Sequence, residues 1–149
     1  MNAKRPIRSV RARFTCIAKK VVLVGCTIPG LTQPATYYVS TAGLDRNPGT
    51  PQAPWRTIKK AVNTMVGGDT TIVLAGKYNE IVNTVRSGTA GQRITIRASG
   101  QVVTKTFNIA HEYITIESFE MTAANEAFMM TITGSHCEIL NNTIHDKGA

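Results

Sequence analysis

Ile116-Glu117-Ser118-Phe119-Glu120-Met121-Thr122 and Ile139-Leu140-Asn141-Asn142-Thr143-Ile144-His145 decide the reading of this chain, because the second repeats the pattern of the first 23 residues later. Laying Ile116 over Ile139 and Met121 over Ile144 sets Phe119 over Asn142 at an interior turn. An Asn there can hydrogen-bond along a stack of coils, a place where a polar amide is otherwise hard to satisfy. Working backwards, Tyr113-Ile114-Thr115-Ile116, Arg93-Ile94-Thr95-Ile96 and Thr71-Ile72-Val73-Leu74 are further short β-rich segments, most of them alternating. Ile72 to Ile94 is 22 residues and Ile94 to Ile114 is 20. Turn-forming stretches such as Ser87-Gly88-Thr89-Ala90-Gly91 and Ser99-Gly100 separate them. A period of this size, with strands and turns and no helix inside it, predicts a solenoid whose coils stack in parallel. A β-sandwich or barrel also offers many short strands, but it does not explain the Phe119/Asn142 alignment.

Upstream, Tyr37-Tyr38-Val39-Ser40 is a β-favouring tetrad, and the Asn47-Pro48-Gly49 core of the next stretch demands a turn. Between Pro54 and Gly68 the period changes. Ile58, Ala61, Val62 and Met65 fall at i, i+3, i+4 and i+7 on one helical face, with Lys59, Lys60 and Asn63 opposite. Thr57 or its neighbour can cap the start, and Gly67-Gly68 stops the helix, which predicts about three turns. This lone helix precedes the first full coil, where a solenoid must cover its apolar end and unpaired strand edge. The expected fold is therefore all-β: a right-handed parallel β-helix of about four coils with an N-terminal amphipathic capping helix.

The chain has 149 residues, 42% of them hydrophobic and 17% charged, which suits one globular domain. No apolar run approaches the ~20 residues of a membrane-spanning helix, so no transmembrane segment is expected. The formal charge of +8 raises the question of nucleic acid. Its distribution argues against that partner: Lys4, Arg5, Arg8, Arg11, Arg13, Lys19 and Lys20 stand in the first twenty residues with no acid among them, leaving the remainder almost neutral. Cys16, Cys26 and Cys137 are widely spaced and indicate neither zinc nor a disulfide framework. Cys137, within an apolar strand pattern, is expected to be a small buried hydrophobe.

Residues 1–36 differ from the rest: a basic stretch, then Val21-Val22-Leu23-Val24-Gly25-Cys26, then a linker from Thr27 to Thr36. That order resembles an export signal followed by a mature domain at 37–149. Lys19 and Lys20 interrupt the apolar segment, so the fit is imperfect. Leu23-Val24-Gly25-Cys26 also looks like a bacterial lipobox, which would make Cys26 a lipid attachment site; a chance match of so short a motif is the competing reading.

Taken in order, the motifs resemble a known family. YYVSTAGLDRNPGTPQAPWRTIKKAV (from Tyr37), GDTTIVLAGKYNE (from Gly68), SGTAGQRITIRA (from Ser87), YITIESFEMT (from Tyr113) and CEILNNTIHDKG (from Cys137) are similar to the opening of secreted right-handed β-helix proteins of the pectate-lyase-like superfamily. These include calcium-dependent pectate lyases and chondroitinase-B-like and alginate lyases. The resemblance spans residues 37 to 146 and implies a secreted or cell-surface protein directed at an acidic polysaccharide. It further implies β-elimination on a uronic-acid polymer, with Ca²⁺ on carboxylates acidifying a C–H and a Lys or Arg of depressed pKa removing the proton. In those lyases the calcium carboxylates and the base lie on coils beyond the Asn-Asn-Thr-Ile-His-Asp stretch. No catalytic residue or calcium ligand is therefore carried over, and the chain is expected to be a short or truncated form that lacks the usual catalytic coils. Fold does not fix activity. The alternative is a non-catalytic carbohydrate-binding or surface module that self-assembles through its open C-terminal coil.

Single residues add little chemistry. His145-Asp146 is an adjacent His–carboxylate pair able to sit at the rim of a carbohydrate groove, although Asp after a strand is commonly a turn residue. Arg97 and Lys105 can contact acidic sugars, or stand solvated on a strand face. Asp69 reads as a turn residue, Glu117 and Glu120 as a solvated face, and His111 and His136 as exposed turn residues with no third ligand at metal spacing. Trp55 is expected to cover the junction of helix and coil rather than stack on sugar.

Overall fold

In the computed structural model, residues 33–122 and 130–145 are described. Eight strands and one helix follow in the order β1 (Thr36–Val39), α1 (Ile58–Thr64), β2 (Thr70–Asn83), β3 (Ile94–Ile109), β4 (Ile114–Glu117), β5 (Glu120–Thr122), β6 (Met130–Ile132), β7 (Glu138–Leu140) and β8 (Thr143–His145). Every pairing between them is parallel. Along β2 and β3 the register is broken twice, between Leu74 and Gly76 and between Tyr78 and Ile81. Each break bends the strand, so that one long strand contributes to three faces. β3 then pairs with β4, β5 and β6 in turn, one on each face. This is a parallel β-helix, wound in the right-handed sense that parallel crossovers almost always take.

The two heptads that decide the fold stack as read. Ile116 pairs Ile139 and Met121 pairs Ile144. The amide of Asn142 lies in the turn between them, its Oδ1 accepting from Phe119 N at 2.8 Å and its Nδ2 donating to Ile116 O at 2.8 Å. Ile94 likewise pairs Ile114. The earlier coil differs from the sequence spacing, since Ile72 faces Arg97 and not Ile94. The offset is odd, and side chains alternate faces along a strand, so Ile94 points into the core while Ile72 stands on the outer face. The single strand segments read from sequence are parts of continuous bent strands of 14 and 16 residues.

Val39, Val73, Val82, Ile96, Phe107, Ile116, Phe119 and Met121 fill the coil interior, with Phe107 and Phe119 meeting edge to face at 5.0 Å. Helix α1 closes the N-terminal end through the fully buried Ile58, Ala61 and Met65 together with Val62. It is shorter than predicted, at seven residues. The Asp69 carboxylate explains the early stop. It accepts from Val66 N at 2.8 Å and from Ala35 N at 2.9 Å, turning the chain out of the helix and into β2. Asp69 is thus the turn residue expected, and a buried one.

The helix covers the core; a loop covers the strand edge. Tyr38 N donates to Gly49 O, Trp55 N to Tyr38 O and Ser40 N to Trp55 O, so the segment from Gly49 to Trp55 pairs the free side of β1. Gly49 has φ +81°, and a Cβ there would strike the Trp55 ring. Trp55 is buried beneath this turn, stacked on Tyr37 at 4.6 Å, with its Nε1 donating to Asn47 O. It covers the helix–coil junction as expected. No helix among the described residues is long and apolar enough to cross a membrane.

Candidate functional site

The helix start is held by two carboxylates that sequence reading did not single out. Glu80, on β2, receives Ile58 N on Oε1 and Lys59 N on Oε2. Asp45 receives Arg56 N and Thr57 N on Oδ1 and the Thr57 hydroxyl on Oδ2, while Thr57 Oγ1 itself caps Lys60 N. Orphan N–H groups of a first turn favour acceptors of this kind. Beside this junction opens a groove of about 230 Å³ lined by Thr41, Arg56, Thr57, Lys77, Tyr78, Asn79 and Glu80. Gly76, at φ +156°, lets Thr41 pass close over β2, where a Cβ would come within 2.7 Å of the Thr41 methyl. The Tyr78 phenol forms the floor, donating to Leu74 O at 2.9 Å. Burial pushes its pKa up to about 12, opposed by a backbone hydrogen bond from Thr41 and aided by the charge of Glu80.

The face formed by β1, β2, β3, β4 and β7 carries a second set of polar groups. Thr36, Thr70, Thr95, Thr115 and Glu138 stand in one register row. At its corner Arg93 donates from Nε to Thr115 Oγ1 at 3.0 Å and from a terminal nitrogen to His136 O, and it pairs with Glu138 at 3.4 Å. Arg93 also lies over the Tyr113 ring, which stacks on His136 one coil away at 4.6 Å and 10°. Tyr113 and His136 both adopt positive φ, 53° and 56°, a conformation disfavoured for large residues and held here by the stack. His136 is therefore an exposed turn residue that also packs. His111 is half-buried, its Nδ1 at 2.9 Å from Thr84 Oγ1.

The residues singled out from sequence do not converge. Arg97 stands on the first face and pairs with Glu117 at 2.8 Å. His145 stands on the next face with Nε2 at 2.9 Å from Glu120 Oε1. Glu120 also accepts from Gln101 Nε2, and that bond, followed by the one to His145, lowers its pKa. Glu117 is thus matched to the Arg97 guanidinium and Glu120 to the His145 imidazole, each one coil away, where sequence reading had a merely solvated face. Lys105 is half-buried on its strand, with no ion-pair or hydrogen-bond partner for its ammonium among the described residues. Cys137 is half-buried, not fully buried, packed against the core from the outermost coil described; its thiol donates to His111 O at 3.2 Å. Asp146, Cys26 and all but the last residues of the 1–36 leader lie outside the described residues.

A Ca²⁺ site of the kind the resemblance implies does not fit what is described. No three His, Cys, Asp or Glu side chains among the described residues gather to hold a metal. Asp45, Asp69 and Glu80 each engage both carboxylate oxygens with hydrogen bonds inside the fold.

Comparison with known proteins supports the same architecture. Residues 41–85 match a family described as a protein of unknown function (DUF1565). An uncharacterized protein of Bacillus subtilis, YwoF, is 40% identical over 60 residues, which is 40% of this chain and 13% of that protein. Among solved structures, pectate lyase Pel9A superposes with a TM-score of 0.63 at 21% identity, over 76% of this chain and 34% of its own. A GH136 lacto-N-biosidase from Eubacterium ramulus gives 0.60 at 18%, over 75% and 27%. A rhamnogalacturonan lyase gives 0.55 at 20%, over 63% and 30%. The chain spans about a third or less of the length of each of these proteins. At such identities the likeness fixes the fold alone, a parallel β-helix of the kind these proteins share.

Proposed function

We propose that this chain is a polysaccharide-directed β-helix domain related to polyuronate lyases, acting outside the cytoplasm on an acidic polymer. The observation that carries the reading is the fold, shared with proteins named for pectate, rhamnogalacturonan and a lacto-N-bioside. The outer face supports it. Its row of Thr36, Thr70 and Thr95 repeats at the strand spacing of ~4.8 Å, with Arg93 and Arg97 four residues apart along the chain, a rigid array suited to an extended polymer. Arg97, with about half its side chain exposed (53%), keeps Nε on Glu117 and offers its other N–H groups to a sugar carboxylate. His145 and Asp146 are proposed as contacts at the rim of the neighbouring face. The basic leader supports export, with Cys26 a candidate lipid anchor.

The test is a binding and turnover panel on the full chain with polygalacturonate, alginate, chondroitin and a neutral glucan. Binding to the acidic polymers, weakened by salt, is expected, without release of unsaturated uronates. Absorbance from unsaturated product, abolished by a chelator, would make the chain a calcium-dependent lyase. Binding to none of the four would remove the polysaccharide reading.

A further inference from the structure

We propose that the groove beside the helix start is a subsite for a single carboxylate-bearing sugar residue, with Arg56 and Lys77 as its anion-binding groups. The assignment rests on the polysaccharide reading and names where on the domain an acidic residue is held. It lies apart from the face that carries Arg93 and Arg97.

Four observations converge on it. Arg56 and Lys77 enter the groove from different segments, one just before α1 and one from β2, and both are exposed. Among the described residues neither side chain has an ion-pair or hydrogen-bond partner, in contrast to Arg93 and Arg97, which both have one, while Lys60 lies over the Trp55 ring. Secondly, the carboxylates nearest to them are already engaged. Glu80 holds two backbone N–H groups, and Asp45 holds two more and a hydroxyl, so neither takes a hydrogen bond from the Arg56 or Lys77 side chain. The lining sets two cations, Arg56 and Lys77, against one carboxylate, Glu80, and a net positive charge in a partly enclosed groove attracts an anion more strongly than the same charge on a flat surface.

The third observation is size and lining. At about 230 Å³ the groove is smaller than the roughly 300–1,000 Å³ that encloses a drug-sized ligand, so it takes one ring and leaves the rest of a chain outside. Thr41 and Asn79 add neutral hydroxyl and amide groups suited to sugar hydroxyls. A simple inorganic anion would need none of these. The fourth is placement: every lining residue falls within 41–85, the segment that matches a family, whereas Arg93, Arg97 and His145 fall outside it. The helix start itself contributes no site, since Glu80 and Thr57 already fill it.

Calorimetric titration of the full chain with trigalacturonate, a galactose trimer of the same length and inorganic phosphate tests the assignment, alongside Arg56→Gln, Lys77→Gln and the double variant. Trigalacturonate is expected to bind, each single variant to weaken it about tenfold and the double variant to abolish it, with unchanged melting temperatures because both side chains are exposed. The galactose trimer and phosphate are expected to bind far more weakly. If the double variant binds trigalacturonate as the parent does while Arg97→Gln weakens it, the groove is overturned and the polysaccharide reading stands. If phosphate binds as tightly as trigalacturonate, the saccharide assignment is overturned in favour of a simple anion site. If the parent binds no acidic saccharide, short or polymeric, both readings fall.

Discussion

Asn142 reads the backbone of the coil next to it: its amide oxygen takes Phe119 N and its amide nitrogen gives to Ile116 O, both at 2.8 Å. One side chain thus satisfies a donor and an acceptor at a corner where the strand ladder is interrupted. A typical hydrogen bond contributes about 0.5–1.5 kcal/mol net, and leaving a partly buried partner unmade costs more. Asn142→Ala is expected to destabilise by about 2 kcal/mol in urea unfolding. Asn142→Asp should cost a comparable amount, because it removes the donor to Ile116 O. The control is Asn108→Ala, which breaks an equally short amide pair with Asn83 on the exposed surface and should cost less than about 0.5 kcal/mol. Equal losses for the two sites would show that Asn142 is not a structural link between coils.

The cap predicts a second set of effects. Glu80→Ala removes acceptors from two N–H groups of α1, and Thr57→Ala removes the one on Lys60 N; each should cost about 1 kcal/mol, within the ~0.5–2 kcal/mol of other N-terminal caps. Ile58→Asp or Met65→Asp would bury a charge where the native side chains are fully enclosed, at a cost of several kcal/mol and enough to unfold a marginal domain. Circular dichroism melts separate the two classes. If the aspartate variants melt like the parent, the helix does not close the solenoid.

Much of this fold is legible in the sequence because apolar period and turn chemistry agree over Ile94/Ile114, Ile116/Ile139 and Met121/Ile144. The failure at Ile72/Ile94 has a physical cause. Coils need not have equal length, and an odd register offset exchanges inward and outward side chains without altering composition. The candidate groove is harder to foresee. Thr41, Arg56 and Lys77 come from three segments that meet only because the loop before α1 folds back over β1, and Glu80 acts on a helix 21 and 22 residues earlier. The Tyr113/His136 stack could have been found, since these residues share the 23-residue spacing of the Ile116/Ile139 repeat.

Stability at high pH should report on Tyr78. Burial raises its phenol from an ordinary value near 10 to about 12, so the fold disfavours the phenolate. A group raised in this way contributes fully below the unfolded pKa and loses its contribution as pH climbs through the folded one. The loss is therefore expected between about pH 10 and 12, on the order of 2 kcal/mol. Tyr78→Phe should flatten that limb while lowering stability at neutral pH through the lost hydrogen bond to Leu74 O. Spectrophotometric titration should show one tyrosine ionising near pH 12, and its absence in the variant assigns it.

At low pH the sign reverses for Glu120. Its pKa is lowered by Gln101 first and by His145 next, so its contribution is present above the ordinary carboxylate pKa and lost as pH falls through the lowered value. The effect is small because the carboxylate is only partly buried and solvent screens it. Glu120→Gln should remove part of the acid dependence and leave stability near pH 7 close to the parent's, as measured by chemical unfolding at pH 3 and pH 7.

The last prediction follows from the outermost coil described. β7 and β8 pair on one side only, with β4 and β5, among the described residues. Ile144 is in register with Met121, which is fully buried, yet Ile144 is 49% exposed, and Leu140 beside it is 42% exposed. A parallel strand edge flanked by apolar side chains recruits further strands. We therefore expect the 149-residue chain to self-associate with rising concentration in sedimentation velocity, by way of this coil. Ile144→Lys and Leu140→Lys together should shift it to monomer without unfolding it, since neither side chain is enclosed. Appending further coils should have the same effect as the lysines. A parent that stays monomeric at high concentration would show that this edge is not a self-association surface.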